Sequence, residues 1–238
     1  MQLTDFSVLT FDCYGTLIDW ESGIITALQP LMTRAEQALT REAVLTTFGQ
    51  HETQLERAHP ATRYSELLAR VHDELASAWG VMPDAAESQR FGASVGDWPA
   101  FADTVAALRY LKQHYKLVIV SNIDRDSFRA TSPRLGVAFD AVYTAEDIGS
   151  YKPDPRNFVY LVEHLAAMGI DKSVTLHTAQ SLFHDHAPAN DVGLASAWID
   201  RRHDASGWGA TAAPRADVHY NFRFISLAEM MDAHRASM

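Results

Sequence analysis

The sequence predicts an α/β fold, a parallel sheet flanked by helices with an all-helical insertion after the first strand. Three observations carry that expectation. Short apolar runs rich in β-branched residues recur at Phe6–Phe11, Lys116–Val120 and Val174–Thr178. Segments of helical period lie between the later runs. The long stretch from Trp20 to about Trp98 holds several helical patterns and no convincing strand. Strands that alternate with helices at this spacing build parallel sheets, because a parallel return needs a crossover connection.

The first strand, Phe6–Phe11, is nearly continuously apolar, as a strand covered on both faces should be. The insertion follows, with helical patterns at Ile24–Leu31, Arg41–Phe48, Tyr64–Trp79 and Ala85–Ser94. It returns through Val95–Ala100, where Gly92, Gly96 and Pro99 punctuate the chain. Asp103–His114 then sets Val105, Leu108 and Leu111 on one helical face, ahead of the second strand at Lys116–Val120. Weaker strands read at Ala141–Tyr143 and Ala195–Ile199, on either side of the strand Val174–Thr178. Asn157–Met168 repeats the helical pattern with Phe158, Leu161 and Leu165. The tail offers an edge strand within Asp217–Phe224 and a closing helix at Ser226–His234. Ala205–Pro214, rich in Gly and Ala, reads as a surface loop, and Arg201-Arg202-His203-Asp204 as a solvated one. The expected architecture is a Rossmann-like doubly wound core from residues 1–18 and 99–238, with a helical cap at 19–98.

Composition narrows the range of functions. The 238 residues suffice for one large domain carrying an insertion, and 47% hydrophobic against 21% charged residues can fill a core. A formal charge of −10 argues against a nucleic-acid partner. No apolar run approaches the roughly 18 residues of a membrane span, and the early first strand leaves no room for a signal peptide. The single cysteine, Cys13, excludes an internal disulfide and fits a reducing compartment. The expectation is a soluble cytoplasmic protein with a small-molecule partner, no nucleic-acid or membrane partner, and an oligomeric state compatible with a homodimer.

Four polar groups fall at or just after proposed strand ends: Asp12, Ser121-Asn122, Lys152 in Tyr-Lys-Pro-Asp-Pro, and Asp185 in Ser-Leu-Phe-His-Asp-His. A doubly wound sheet gathers these ends at one rim, where such folds bind ligands. A carboxylate there is a candidate covalent nucleophile. Lys152 can hold it ionised, and Ser121 and Asn122 can orient an anionic substrate. Asp185 can position Lys152 or a water.

The order Asp-x-x-Gly-Thr, Ser-Asn, Lys-Pro-Asp-Pro and a late Asp, with a helical segment after the first motif, resembles the haloacid dehalogenase superfamily with a C1-type cap. Phe-Asp-x-Tyr-Gly-Thr-Leu resembles its type II 2-haloacid dehalogenase branch. Phe11–Ile24, Val120–Asp126 and His177–Arg202 are similar to the (S)-azetidine-2-carboxylate hydrolases, which open a strained cyclic imino acid at C2. The resemblance implies Asp12 as nucleophile, an ester intermediate, attack of water on the ester carbonyl, and inversion at C2. It assigns Lys152 and Asp185 to catalysis, and Tyr14, Thr16, Trp20, Ser121 and Asn122 to substrate binding, with no metal and no organic cofactor. Phosphatases of the superfamily carry a second acid where Tyr14 stands, and a metal-binding acid where Gln180 stands. Dehalogenases place an arginine and often an asparagine around the halide. Here Asp19-Trp20-Glu21 follows the nucleophile, no arginine comes before Arg34, and Leu182 holds the asparagine position. A cradle poor in cations suits an ammonium leaving group, and Trp20 can face a cationic nitrogen. A 2-haloacid dehalogenase and a non-catalytic small-acid-binding protein stand as alternatives.

Plainer readings exist for each residue. Asp12 or Ser121-Asn122 could cap a helix, and Lys152 could be a solvated surface lysine. His184-Asp185-His186 lacks metal-ligand spacing and reads as packing or hydrogen bonding. Cys13 reads as a small core residue. Trp20 divides between pocket lining and cap packing, while Trp79 and Trp98 read as cap core. Glu21 reads as a helix start.

Overall fold

The computed structural model describes residues 1–238. Six parallel strands form one sheet in the order β3-β2-β1-β4-β5-β6. They are β1 (Val8–Phe11), β2 (Lys116–Ser121), β3 (Ala141–Thr144), β4 (Thr175–Ala179), β5 (Ala195–Ile199) and β6 (Phe222–Phe224). This is the doubly wound α/β order, in which the chain moves outward from β1 in both directions. Phe11, the last residue of β1, pairs with Ile119 on one side and Thr178 on the other, so β1, β2 and β4 end within two residues of one another. That register places Asp12, Ser121 and Gln180 on one rim.

Four helices separate β1 from the rest of the core: α1 (Trp20–Arg34), α2 (Arg41–Ala58), α3 (Tyr64–Ala78) and α4 (Ala85–Ala93). The others are α5 (Thr104–Leu111), α6 (Arg125–Thr131), α7 (Ala145–Ile148), α8 (Arg156–Ala167), α9 (Ala187–Asp191) and α10 (Leu227–Ser237). Phe158, Leu161 and Leu165 of α8 bury one face of the sheet, against Val8, Val118 and Val120. Leu9, Phe11, Leu117, Ile119 and Leu176 point to the opposite face, beneath Leu108, Leu111 and Met230. Ile24, Leu28, Phe48, Leu67 and Leu75 of the insertion join that same apolar cluster. Each such side chain contributes about 1.5–3 kcal/mol by leaving water, so the insertion is tied to the sheet by packing. No helix is long and apolar enough to cross a membrane.

The expected elements form, with shifted ends. β1 begins at Val8, because Leu3–Asp5 forms a 3-10 turn closed by bonds between Gln2 and Asp5. Helix α1 starts at Trp20, capped by Asp19, whose carboxylate accepts from the Ser22 amide at 3.1 Å. The largest difference is α2, which runs to Ala58, well past the expected Phe48. Gly49 interrupts the apolar pattern and disfavours a helix interior by about 1 kcal/mol relative to Ala. The tertiary structure supplies the reason for this glycine: a Cβ there would lie 2.2 Å from the carbonyl oxygen of Ala210.

That contact corrects the reading of Ala205–Pro214 as a surface loop. Trp208 is partly exposed, but Ala210 and Thr211 are buried where the loop lands on α2. Arg201-Arg202 is corrected likewise. Arg201 donates to the Thr16 carbonyl at 2.9 Å and to Asp103 at 2.9 Å, and its guanidinium lies over the Phe101 ring. Arg202 meets Glu21 at 2.6 Å and Glu42 at 2.8 Å. These arginines lock the segment after β5 onto the turn after β1 and onto the insertion, which a count of polar residues cannot foresee.

Candidate active site

β1 delivers Asp12 to the rim, and the turn after it shapes the ground around it. Gly15 adopts φ +96°, a left-handed conformation, and a Cβ there would lie 3.0 Å from the Trp20 indole nitrogen. Glycine therefore lets the chain reverse while Trp20 packs into the cavity that Asp12 lines. Thr16 donates to Asp12 Oδ2 at 2.7 Å and accepts from the Gln180 amide at 2.9 Å. Lys152 enters from the loop after α7. Its ammonium donates to Asp12 Oδ1 at 2.9 Å, Asp185 Oδ1 at 2.7 Å and the Val120 carbonyl at 3.0 Å. All three donor positions are used, and the residue is 1% exposed.

A π-helical turn, Leu182–His186, carries Asp185 inward. Such turns are uncommon and recur at functional sites. His177 of β4 bonds Asp185 Oδ1 at 3.1 Å and Thr10 at 2.9 Å, fixing the carboxylate from behind. Ser181 caps the turn by accepting from the His184 amide at 2.8 Å. Asp185 Oδ2, His184 Nε2 and Ser121 Oγ are buried without a hydrogen-bond partner. Buried polar atoms are rarely left so without a ligand or water to receive them.

The charges balance within this cluster. Burial opposes the Lys152 ammonium, yet the carboxylates of Asp12 and Asp185 hold it above the usual lysine range. Burial also works against ionised Asp185, but Lys152 and His177 hold its carboxyl well below the ordinary range. Burial raises the Asp12 carboxyl; the Lys152 ammonium opposes that rise and Asp185 adds to it. Burial lowers His184 to about 4, leaving it neutral at physiological pH.

Asp12, Ser121, Asn122, Lys152, Asp185, Tyr14 and Trp20 converge on one cavity of about 30 Å³. Thr16 is the exception among the expected substrate-binding residues. It is fully buried behind Asp12 and does not line the cavity, so its place is to hold the Asp12 carboxylate. Asn122 reaches the cavity with its amide already committed: its oxygen accepts from the Lys152 amide at 2.6 Å, and its nitrogen donates to the Lys152 carbonyl and to Glu56. The Tyr14 hydroxyl pairs with Thr131 at 2.6 Å, and its ring meets Trp98 edge-on. Glu21 starts α1 and turns to Arg202. His186 bonds Ser196 and the Ala179 carbonyl, away from the cavity. At the strand-end rim the Lys152 ammonium already lies between the Asp12 and Asp185 carboxylates, Tyr14 and Gln180 add no anionic oxygen there, and no three acid, histidine or cysteine side chains come together as metal ligands.

Sequence reasoning missed the opposite wall. Glu52 and Glu56, one turn apart on α2, are 3% and 5% exposed and line the same cavity. They lie in the part of α2 beyond Gly49, where an i, i+4 acid pair reads as an exposed helix face. Tyr64 donates to Glu52 at 2.5 Å. Thr211, from the loop that lands on Gly49, also lines the cavity. Burial raises Glu52 from an ordinary 4.5 to about 8, despite the Tyr64 bond. Burial, reinforced by Glu52, holds Glu56 well above the usual carboxylate range.

A raised folded-state value stabilises the fold fully only below the unfolded value, and that stability is lost as pH rises through the folded value. Glu52 therefore weighs on stability increasingly between about pH 4.5 and pH 8. Glu52→Gln should raise Tm relative to the unsubstituted chain by several degrees at pH 8, with little difference near pH 4.5. A Tm difference independent of pH in paired thermal melts would contradict a largely uncharged Glu52.

Comparison with known proteins follows this geometry. The family model described as hydrolase, haloacid dehalogenase-like hydrolase, matches residues 6–178. An (S)-2-haloacid dehalogenase of Pseudomonas putida is 28% identical over 206 residues, covering 83% of this chain and 86% of that protein. The L-2-haloacid dehalogenase of Xanthobacter autotrophicus, solved with chloropropionic acid covalently bound, superposes with a TM-score of 0.78. It is 17% identical, over 98% of this chain and 100% of that one. A defluorinating L-2-haloacid dehalogenase gives a TM-score of 0.77 at 19% identity, over 97% and 95% of the two chains.

Proposed function

Because this chain belongs to the haloacid dehalogenase-like hydrolases, we propose that it displaces a substituent from C2 of a small 2-substituted carboxylate through an ester on Asp12. The observation that carries the reading is the Lys152 ammonium, shared between Asp12 at 2.9 Å and Asp185 at 2.7 Å on the strand-end rim. In the first step an Asp12 carboxylate oxygen bonds to C2, and the C2–substituent pair leaves with the substituent, inverting C2. In the second, water adds to the Asp12 ester carbonyl, one of its protons goes to the departing alcohol oxygen and the other is released to solvent, and the carboxylate is restored beside Lys152. Asp185 Oδ2, an acceptor, and His184 Nε2, both buried and unpartnered, can hold that water. Ser121 Oγ is a free donor for the substrate carboxylate. Enclosure beneath the helical insertion keeps bulk water from the displacement.

The substituent we propose is a ring nitrogen, as in (S)-azetidine-2-carboxylate, opened to a 2-hydroxy-4-amino acid. The cavity wall supports this: its residues include no arginine to receive a halide. The likeness to (S)-2-haloacid dehalogenases favours a second reading, halide displacement. One turnover panel separates them, using azetidine-2-carboxylate, L- and D-2-chloropropionate and a generic phosphate ester with Mg²⁺. Azetidine-2-carboxylate should turn over fastest and the phosphate ester negligibly. Equal or faster hydrolysis of a chloropropionate would replace the nitrogen reading with the halide one, and strong phosphatase turnover would overturn both.

A further inference from the structure

Glu52 and Glu56 line the cavity of the proposed nucleophile without a salt-bridge partner, although the Lys152 and Arg57 charges act on Glu56 from farther away. They lie one turn apart on α2 and line the cavity that Asp12 also lines. Each takes one neutral donor, Glu52 from Tyr64 at 2.5 Å and Glu56 from Asn122 at 3.2 Å. Neither enters a salt bridge, while every proton of the Lys152 ammonium is spent on Asp12, Asp185 and the Val120 carbonyl. Two stacked buried acids without a counterion are costly to a fold. Nothing about α2 itself requires acids there, since its other buried residues are Val44, Leu45, Phe48 and Gly49. The same cavity is lined by Ser121 and His184, whose Oγ and Nε2 are buried and unpartnered. Acid side chains and a buried free hydroxyl in one cavity are the chemical complement of a ligand with a cationic end and a carboxylate.

We propose that Glu52 and Glu56 form the counterion site for the substrate's protonated nitrogen, and so select cationic amino and imino acids over halo acids. The inference rests on the C2-displacement reading above and names the residues that decide its leaving group. The substrate's protonated nitrogen would be hydrogen-bonded by both acids and would favour their ionised forms, a gain that a neutral carbon–halogen group cannot offer. Burial raises Glu52 to about 8 and, with Glu52 beside it, holds Glu56 well above the usual carboxylate range, so both resist ionisation. A cation arriving between them favours the ionised forms, so binding releases protons and tightens as pH rises. The ionisable groups around the pair are Tyr64, Tyr151, Lys152 and Arg57, with Asp12, Asp185 and His184 across the cavity. Of these, only Asp12 is also a carboxyl raised above its ordinary value.

Asp12 is removed from that comparison by working in an Asp12→Asn background, which also blocks turnover. Azetidine-2-carboxylate binding to this variant is measured by calorimetry at pH 6 to 8, in two buffers of different ionisation enthalpy. Adding Glu52→Gln and Glu56→Gln to the same background completes the test. The expected result is proton release with affinity rising with pH in the Asp12→Asn protein, and loss of both in the triple variant. Affinity should fall by about 30-fold or more, as for a lost charged hydrogen bond and its partner. Proton release in the unmodified acid pair is read without any change at Glu52 or Glu56, so misfolding of the triple variant leaves the test intact. Binding without proton release, or with unchanged affinity in a folded triple variant, overturns the inference alone. If the native protein hydrolyses chloropropionate but not azetidine-2-carboxylate, the nitrogen reading fails, and this inference with it.

Discussion

Replacing Asp12 with asparagine should abolish turnover while leaving the fold intact. Asp12 is the group at the end of β1 whose two oxygens are held by Lys152 and Thr16. Asparagine keeps the shape and an acceptor oxygen but removes the nucleophilic charge. Loss of a covalent nucleophile costs rate by about 10⁴-fold or more. In H₂¹⁸O under single-turnover conditions, the native chain should place heavy oxygen in the peptide containing Asp12, because water attacks the ester carbonyl. Label found only in the product hydroxyl would mean direct attack of water on C2. Retention of full rate by Asp12→Asn would remove the covalent mechanism altogether. Burial lifts Asp12 above the ordinary aspartate range, and the displacement needs the ionised form. The acidic limb of kcat/KM should therefore lie above the range of an exposed aspartate.

Lys152→Met should produce the largest loss of stability of any single change at the site. The lysine is 1% exposed and compensates two buried carboxylates at once. Removing one partner of a buried ionic cluster costs about 3–5 kcal/mol, and in a chain of this size each kcal/mol moves Tm by about 2–4 °C. The pH dependence follows from the signs. In the native chain Asp185 is held well below its ordinary value by Lys152, so its contribution is present above the ordinary range and lost as pH falls. Without Lys152, burial raises both Asp12 and Asp185, and the variant is penalised more as pH rises. The Tm deficit of Lys152→Met should therefore widen from pH 5 to pH 8 in thermal melts. A deficit constant over that interval would mean that Lys152 acts by packing alone. Catalysis should be lost as well, since the ammonium opposes protonation of Asp12.

How much was legible beforehand differs between the two walls of the cavity. Asp12, Ser121, Lys152 and Asp185 could be read because strand ends punctuate a linear pattern, and four such ends in order meet at one rim. Thr16 was recognised but misplaced: only the register of β1 beside β4 turns its hydroxyl toward Asp12 and the Gln180 amide. His177 sits inside a strand that reads as apolar core, and its bonds to Thr10 and Asp185 exist only once β1 and β4 are adjacent. Glu52 and Glu56 gave no local signal. Their burial comes from the way α2 packs over the rim, and the glycine that hides the length of α2 is explained by a backbone more than a hundred residues later.

The sequence by itself determined the parallel α/β architecture, the place of the helical insertion and the rim that carries Asp12. These depend on periodicity and on strand ends, which are local properties of the chain. Only the tertiary structure decided what faces that rim. It placed the committed amide of Asn122, the arginine clamps at Arg201 and Arg202, and the paired acids of α2. The physical reason is that burial, counterion and hydrogen-bond partner are relations between distant segments. A carboxyl group reads the same in sequence whether water or the cavity surrounds it.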